Sequence, residues 1–194
     1  MLQQRKPILI LASASPRRQE LLREAEIPFE AHPAYINEDQ HAGEPPLKYV
    51  CRLAREKAQT VAQHYPQNYV LGADTIVVID NAVLGKPGNA ADAARMLRLL
   101  SGREHWVTTA VSLVHPNGHT DTSCATTRVF FRKIAEDEIE QYVAGSEPMD
   151  KAGAYAIQGG ASRWTDRIVG EYSNVVGLPL SLVTEMLRKS GLLK

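Results

Sequence analysis

Apolar residues run almost unbroken from Ile8 to Ala12, a short stretch that predicts a buried strand. Ser15 and Pro16 follow as N-cap and first helical residue, and Leu21, Leu22 and Ala25 supply the inward positions of that helix. From 30 to 46 the chain is polar and carries Pro33, Gly43, Pro45 and Pro46, which reads as an irregular segment. Leu47 to His64 returns to a helical period and stops before Pro66. Two apolar runs, Tyr69-Val70-Leu71 and Ile76 to Ile79, then predict strands on either side of Gly72-Ala73-Asp74-Thr75, with a turn at Asn81-Ala82 and a loop at Gly85-Lys86-Pro87-Gly88. Ala90 to Leu100 predicts a helix ended by Ser101-Gly102. His105 to Val114 and Thr122 to Phe131 read as two long strands around the hairpin signal Pro116-Asn117-Gly118. Glu136 to Val143 is a helix, 146 to 174 has little periodicity, and Leu180 to Leu187 is an amphipathic helix. With no internal repeat and no low-complexity linker, residues 1–194 read as a single domain. The class is α/β, a sandwich around a partly antiparallel sheet.

Composition narrows the function. The chain is 44% hydrophobic and 23% charged, so it can bury a core. Its 22 Lys and Arg balance 22 Asp and Glu, for a net charge of zero. That disfavours non-specific nucleic-acid binding, which rests on an excess of cations, and binding to an anionic membrane. A small anionic ligand held by a few local cations stays open. Cys51 and Cys124 are too few for a disulfide framework or a zinc cluster, which points to a reducing cytoplasm. No apolar run approaches the roughly 18 residues of a membrane-spanning helix. Arg5-Lys6 and the apolar residues after them mimic a signal peptide, but Arg17 and Arg18 follow at once and a periodic helix begins there. The six histidines show neither metal spacing nor the logic of a triad.

Five segments carry candidate chemistry. Ser13-Ala14-Ser15-Pro16-Arg17-Arg18 joins a strand to a helix N-terminus, where hydroxyls, guanidiniums and free N–H groups suit a phosphate. An ordinary N-cap with surface arginines is the alternative. Val50, Ala54, Lys57 and Val61 share one helical face, so Lys57 interrupts an apolar stripe. Either its stem snorkels to water or its ammonium reaches a phosphate at the edge of the core. Asp74 follows a strand directly in apolar surroundings, where a carboxylate needs a partner: a metal, a lysine, or a water to activate. It could equally form an Asx-turn. Lys86 stands on a stiff loop that is not of the G-x-x-x-x-G-K-[ST] type, and a solvated lysine accounts for it as well. Finally, Asp150-Lys151-Ala152-Gly153-Ala154-Tyr155-Ala156-Ile157-Gln158-Gly159 places an amide, donor and acceptor at once, beside glycines that permit close approach. A polar surface loop has the same composition.

Together these segments resemble the Maf family of nucleoside triphosphate pyrophosphatases. The likeness runs from Leu11-Ala-Ser-Ala-Ser-Pro-Arg-Arg18 through Gly72-Ala-Asp-Thr75, Leu84-Gly-Lys-Pro87, Leu100-Ser-Gly102 and Asp150-Lys-Ala-Gly-Ala-Tyr155 to Val176-Gly-Leu-Pro-Leu180. Each motif is weak alone, and their joint order and spacing are specific. The resemblance implies an elongated mixed sheet flanked by helices, with two lobes and a central cleft, and a homodimer. It implies hydrolysis of a nucleoside triphosphate to the monophosphate and pyrophosphate with Mg²⁺ or Mn²⁺. On the same footing, Asp74 matches the catalytic aspartate and Arg18, Lys57 and Lys86 match basic residues on the phosphates. Ser13 falls in the phosphate-side loop, and Glu38, with Asp74, is linked to the metal. Arg17, Thr75 and Gln158 match the dTTP/UTP branch, whereas a branch acting on 7-methyl-GTP tends to carry Trp, Gln and Glu there. A neutral amide suits a neutral pyrimidine edge, and a glutamate suits a cationic purine. Two departures stand out: Asn37 replaces an acidic residue before Glu38, and Ala156 replaces a glycine near Gln158. The competing expectation is a regulatory nucleotide-binding protein of septum formation and cell division, with little turnover.

Overall fold

In a computed structural model, which describes residues 8–145 and 147–193, the first apolar run becomes β1 (Leu9–Leu11), buried at all three positions. It needs to be apolar throughout because it is an interior strand. β1 pairs in parallel with β2 (Glu30–Ala31) on one side and β3 (Tyr69–Ile79) on the other, with Ile10 opposite both Glu30 and Val70. The remaining strands are β4 (Ala82–Leu84), β5 (Glu104–Val114), β6 (Thr120–Phe131) and β7 (Thr165–Val169). They form one mixed sheet in the order β2-β1-β3-β5-β6-β7, with β4 antiparallel on β3 and β7 antiparallel on β6. The helices are α1 (Pro16–Glu24), α2 (Pro46–Ala62), α3 (Ala90–Leu100), α4 (Glu136–Val143), α5 (Tyr172–Val176) and α6 (Leu180–Lys189). Among the described residues no helix is long and apolar enough to cross a membrane.

The chain divides into two compact units. One comprises residues through Asp74, Ala110–Ala125 and the chain from Gly177, and the other Thr75–Thr109 and Thr126–Val176. In the first, α2 buries Val50, Leu53, Ala54, Ala58 and Val61. Ala58 and Val61 join Ile10, Ala12, Val70 and Val114 in one apolar cluster, flanked by Ala34, Ala62 and Tyr65. α2 lies so close to β3 that a Cβ on Gly72 would stand 2.3 Å from the Ala54 carbonyl oxygen and 2.6 Å from the Ala58 nitrogen.

That contact corrects the expectation of two strands separated at Gly72–Thr75. The glycine there gives α2 room to approach, and β3 runs without a break from Tyr69 to Ile79. Asp74 therefore sits inside a strand and not at its end. The turn that follows is centred on Asp80 and Asn81, both at positive φ (50° and 63°), which suits a two-residue hairpin into β4. β2 and β4, of two and three residues, are too short to show a period in sequence. The segment that shows little periodicity in sequence holds three short 3₁₀ turns and β7, and runs into α5.

The second unit is organised around aromatic rings. Trp164 is fully buried, with Tyr142 edge-on at 4.8 Å between centroids and Phe131 at 6.3 Å. Phe131 in turn touches Tyr155 and His105. His105 is buried with its Nε2 at 2.9 Å from the Tyr155 hydroxyl. Burial pushes its pKa down to about 4, so the imidazole is neutral at pH 7. Asn174 anchors α5: its amide donates to the Val107 carbonyl at 2.9 Å and to the Thr127 hydroxyl at 3.0 Å.

Candidate active site

A buried charge cluster in the first unit is made by three elements. Asp74 projects from β3 and Lys57 from α2, and both are buried. The Lys57 ammonium donates to Asp74 Oδ1 at 2.7 Å and lies 2.6 Å from Glu38 Oε1, on the irregular segment before α2. Lys57 therefore does not snorkel. Its stem crosses the apolar stripe and its charge ends between two carboxylates. A buried carboxylate is costly without a partner, and this lysine supplies one for Asp74.

The loop before α1 and the first turn of α1 adjoin the cluster. Ser13 is buried, and its hydroxyl accepts from the Ser15 N–H at 3.2 Å and from Arg18 Nη1 at 3.3 Å. Ser15 stands at the N-cap position, but its side chain makes no capping hydrogen bond, so the cap expected of it is absent. Arg18 Nη1 also donates to the carbonyl of Ala73 at 2.8 Å, and Nε donates to that of Gly177 at 2.8 Å. Arg18 thus braces the residue next to Asp74. Burial lowers the pKa of its guanidinium, and the negative charge of Asp74 opposes that shift. Arg17, on the same helical turn, is half-buried.

Residues that sequence reasoning did not single out hold Glu38 in place. The Tyr49 hydroxyl donates to the Glu38 carbonyl at 2.7 Å. Burial raises the pKa of this phenol, and the charges of Asp74 and Glu38 raise it further. Arg52, on α2 with Tyr49, donates to the Asp39 carbonyl at 2.9 Å and grips both oxygens of Glu44 at 2.8 Å. The hydrogen bond from Arg52 holds the Glu44 carboxyl down to about 2. The sequence held only a slight signal for this clamp: Glu44 just before Pro45-Pro46 and Arg52 on the helix that starts there. Asn37, the departure from the acidic pattern, accepts the Asp39 N–H at 2.8 Å and so shapes the same segment.

The other sequence candidates belong to the second unit. Thr75, half-buried, shares a hydrogen bond with Thr109 at 2.9 Å between hydroxyl oxygens. Lys86 is exposed on a loop tied down by the Gly153 N–H, which donates to the Gly85 carbonyl at 3.0 Å. Gln158 is exposed on a tight turn closed by the Gly159 N–H and the Ala156 carbonyl at 3.1 Å. Ser13, Arg18, Glu38, Lys57 and Asp74 are thus brought together within one unit, and Thr75, Lys86 and Gln158 lie on the other.

A divalent cation can be tested against this donor set. Among the described residues no group of three His, Cys, Asp or Glu could hold a metal by itself. Glu38 and Asp74 do converge, since one oxygen of each lies within 2.7 Å of the same Lys57 nitrogen. Two carboxylates with further oxygens from phosphate and water are a donor set that Mg²⁺ and Mn²⁺ accept. The residues therefore fit a hard cation that arrives with a phosphate ligand.

Comparison with known proteins bears on what such a cluster does. The family model described as Maf-like protein matches residues 8–190. A relative from Koribacter versatilis named dTTP/UTP pyrophosphatase is 55% identical over 185 residues, 95% of each chain. One of the same name from a Geobacillus species is 49% identical, over 94% of this chain and 98% of its own. The structure of the Staphylococcus aureus Ham1 protein superposes with a TM-score of 0.53 over 93% of this chain and 98% of its own, at 11% identity, which is a likeness of fold.

Proposed function

The chain belongs to the Maf-like protein family, and from that premise we propose that it hydrolyses dTTP and UTP to the monophosphate and pyrophosphate, a nucleotide-pool housecleaning activity. The observation that carries the reading is Asp74, buried inside β3 with Lys57 at 2.7 Å and braced through Ala73 by Arg18. A carboxylate held this firmly can orient a water and accept its proton. The water attacks the α-phosphorus, its proton passes to Asp74, and pyrophosphate leaves with the electrons of the broken P–O bond.

Charge counting indicates what the cluster still requires. Arg18 and Lys57 carry two positive charges against the two negative charges of Glu38 and Asp74, so the four sum to zero. A polyphosphate adds several negative charges that must be neutralised for attack to proceed. Glu38 and Asp74 would hold a Mg²⁺ or Mn²⁺ ion, which supplies that neutralisation and polarises the phosphate. Lys86 matches a basic position that the family places on the phosphates. Arg17, Thr75 and Gln158 match the pattern of the dTTP/UTP branch, and the neutral amide of Gln158 offers both donor and acceptor to a neutral pyrimidine edge.

The test is product analysis with dTTP, UTP, CTP, GTP and 7-methyl-GTP in Mg²⁺ or Mn²⁺. Monophosphate and pyrophosphate from dTTP and UTP are expected. Asp74→Asn should lower turnover by about 10³-fold or more while the protein stays folded. Binding without hydrolysis of any nucleotide would overturn the reading in favour of a regulatory protein. Turnover of 7-methyl-GTP alone would overturn the specificity.

A further inference from the structure

We propose that Tyr142 and Glu147 form a buckle that sets the position of Gln158, which makes both of them positioning residues for recognition of the base. The inference rests on the reading of Gln158 as the residue that meets the nucleobase. Gln158 occupies the third position of the tight turn 156–159 and is exposed. An exposed amide on an irregular segment can discriminate between bases only if the backbone beneath it is anchored.

The anchoring is present on both sides. Two residues before Gln158, the Ala156 N–H donates to the Tyr142 hydroxyl oxygen at 3.0 Å. Two residues after it, the Gly160 N–H donates to Glu147 Oε1 at 3.1 Å. Tyr142 closes the circuit by donating its own proton to that same oxygen at 2.7 Å. The directions are unambiguous, because an amide N–H can only donate and a carboxylate can only accept. Burial raises the Tyr142 pKa, so its hydroxyl keeps the proton it gives.

Packing indicates that the turn is shaped around this circuit. A Cβ on Gly159 would stand 2.2 Å from Glu147 Oε1 and 2.6 Å from its Cδ, so any side chain there would dislodge the carboxylate. The Tyr142 ring is held edge-on against the buried Trp164, with an interplanar angle of 71°. The position of Gln158 is thereby referred back to the aromatic core of its unit. Neither Tyr142 nor Glu147 need touch the nucleotide for the arrangement to act.

The experiment measures kcat and KM for dTTP, UTP and CTP, with melting temperatures, in the intact protein and in Tyr142→Phe, Glu147→Ala, Glu147→Gln and Gln158→Ala. Tyr142→Phe and Glu147→Ala are expected to raise KM for dTTP about tenfold, to lower kcat less than about threefold, and to shrink the preference for dTTP over CTP. Glu147→Gln keeps an acceptor oxygen and should recover most of that preference. In a Gln158→Ala background, Tyr142→Phe should change the preference no further. If Tyr142→Phe fails to fold, Glu147→Ala carries the same comparison from a half-buried side chain. An equal loss on all three nucleotides, or an unchanged KM and preference where Gln158→Ala alters both, would overturn the buckle. An unchanged preference in Gln158→Ala itself would overturn the reading on which the buckle rests.

Discussion

Replacing Gly72 by alanine tests whether the fold and the candidate chemistry depend on the same contact. The added Cβ would lie 2.3 Å from the Ala54 carbonyl oxygen, 2.6 Å from the Ala58 nitrogen and 2.9 Å from the Ala58 Cβ. Two of those atoms are helix backbone, which cannot rotate away as a side chain could. An ordinary contact needs roughly 1 Å more, so α2 must retreat from β3 by about that distance or β3 must distort. Overpacking of this kind costs about 1–3 kcal/mol, which for a chain of this length lowers the melting temperature by roughly 3–10 °C. The same retreat carries Lys57 away from Asp74, since Lys57 lies between the two clashing residues on α2. A 1 Å misplacement at a reacting centre can cost about 10²-fold, so kcat/KM for dTTP should fall by roughly 10- to 100-fold. Calorimetry and pyrophosphate release measure the two effects. Gly88→Ala is the control, because a Cβ there meets nothing within 4 Å. If Gly72→Ala melts within about 1 °C of the parent and keeps full kcat/KM, the reasoning from close approach fails.

Other expectations follow from the charges and rings. His105 has a folded pKa of about 4 against an ordinary value near 6.5, so its stabilisation is complete above pH 6.5 and is lost as pH falls through 4. The loss is on the order of 3 kcal/mol, and His105→Gln should flatten that part of a denaturant-derived stability profile; an unchanged slope would contradict it. Glu44, lowered to about 2, contributes fully above pH 4.5 and progressively less as pH falls through 2. Glu44→Gln should therefore loosen residues 38–44 at pH 7, seen as faster hydrogen exchange there and a kcat/KM lower by about threefold. Chelation with EDTA should reduce turnover at least about 100-fold, with recovery on adding Mg²⁺ or Mn²⁺; full activity in EDTA would remove the cation from the proposal.

Much of the fold is written in short-range chemistry. α3 and α4 lie where the period and the stop signals place them, and the hairpin around Asn117-Gly118 joins β5 to β6. These elements depend on contacts within a few residues, which a linear reading captures. The anomalies of the candidate site were visible in the same way: a lysine on an apolar face, a carboxylate in apolar surroundings, arginines in a first helical turn.

Only the tertiary structure decided what those anomalies meet. Lys57 and Asp74 are 17 positions apart, and Glu38 arrives from a segment without period, so no local rule pairs them. Gly72 resembled a break between strands because glycine serves turns and close packing equally well. Its purpose became clear only once the backbone of α2 stood against it. Residues 147–174 showed little periodicity for a related reason. Its order comes from rings, single hydroxyls and a carboxylate reaching across the unit, and hydrophobic periodicity leaves no trace of such contacts. The sequence determined which residues were out of place in an ordinary core. Long-range packing determined which charge each one answers, because that depends on where distant elements come to rest.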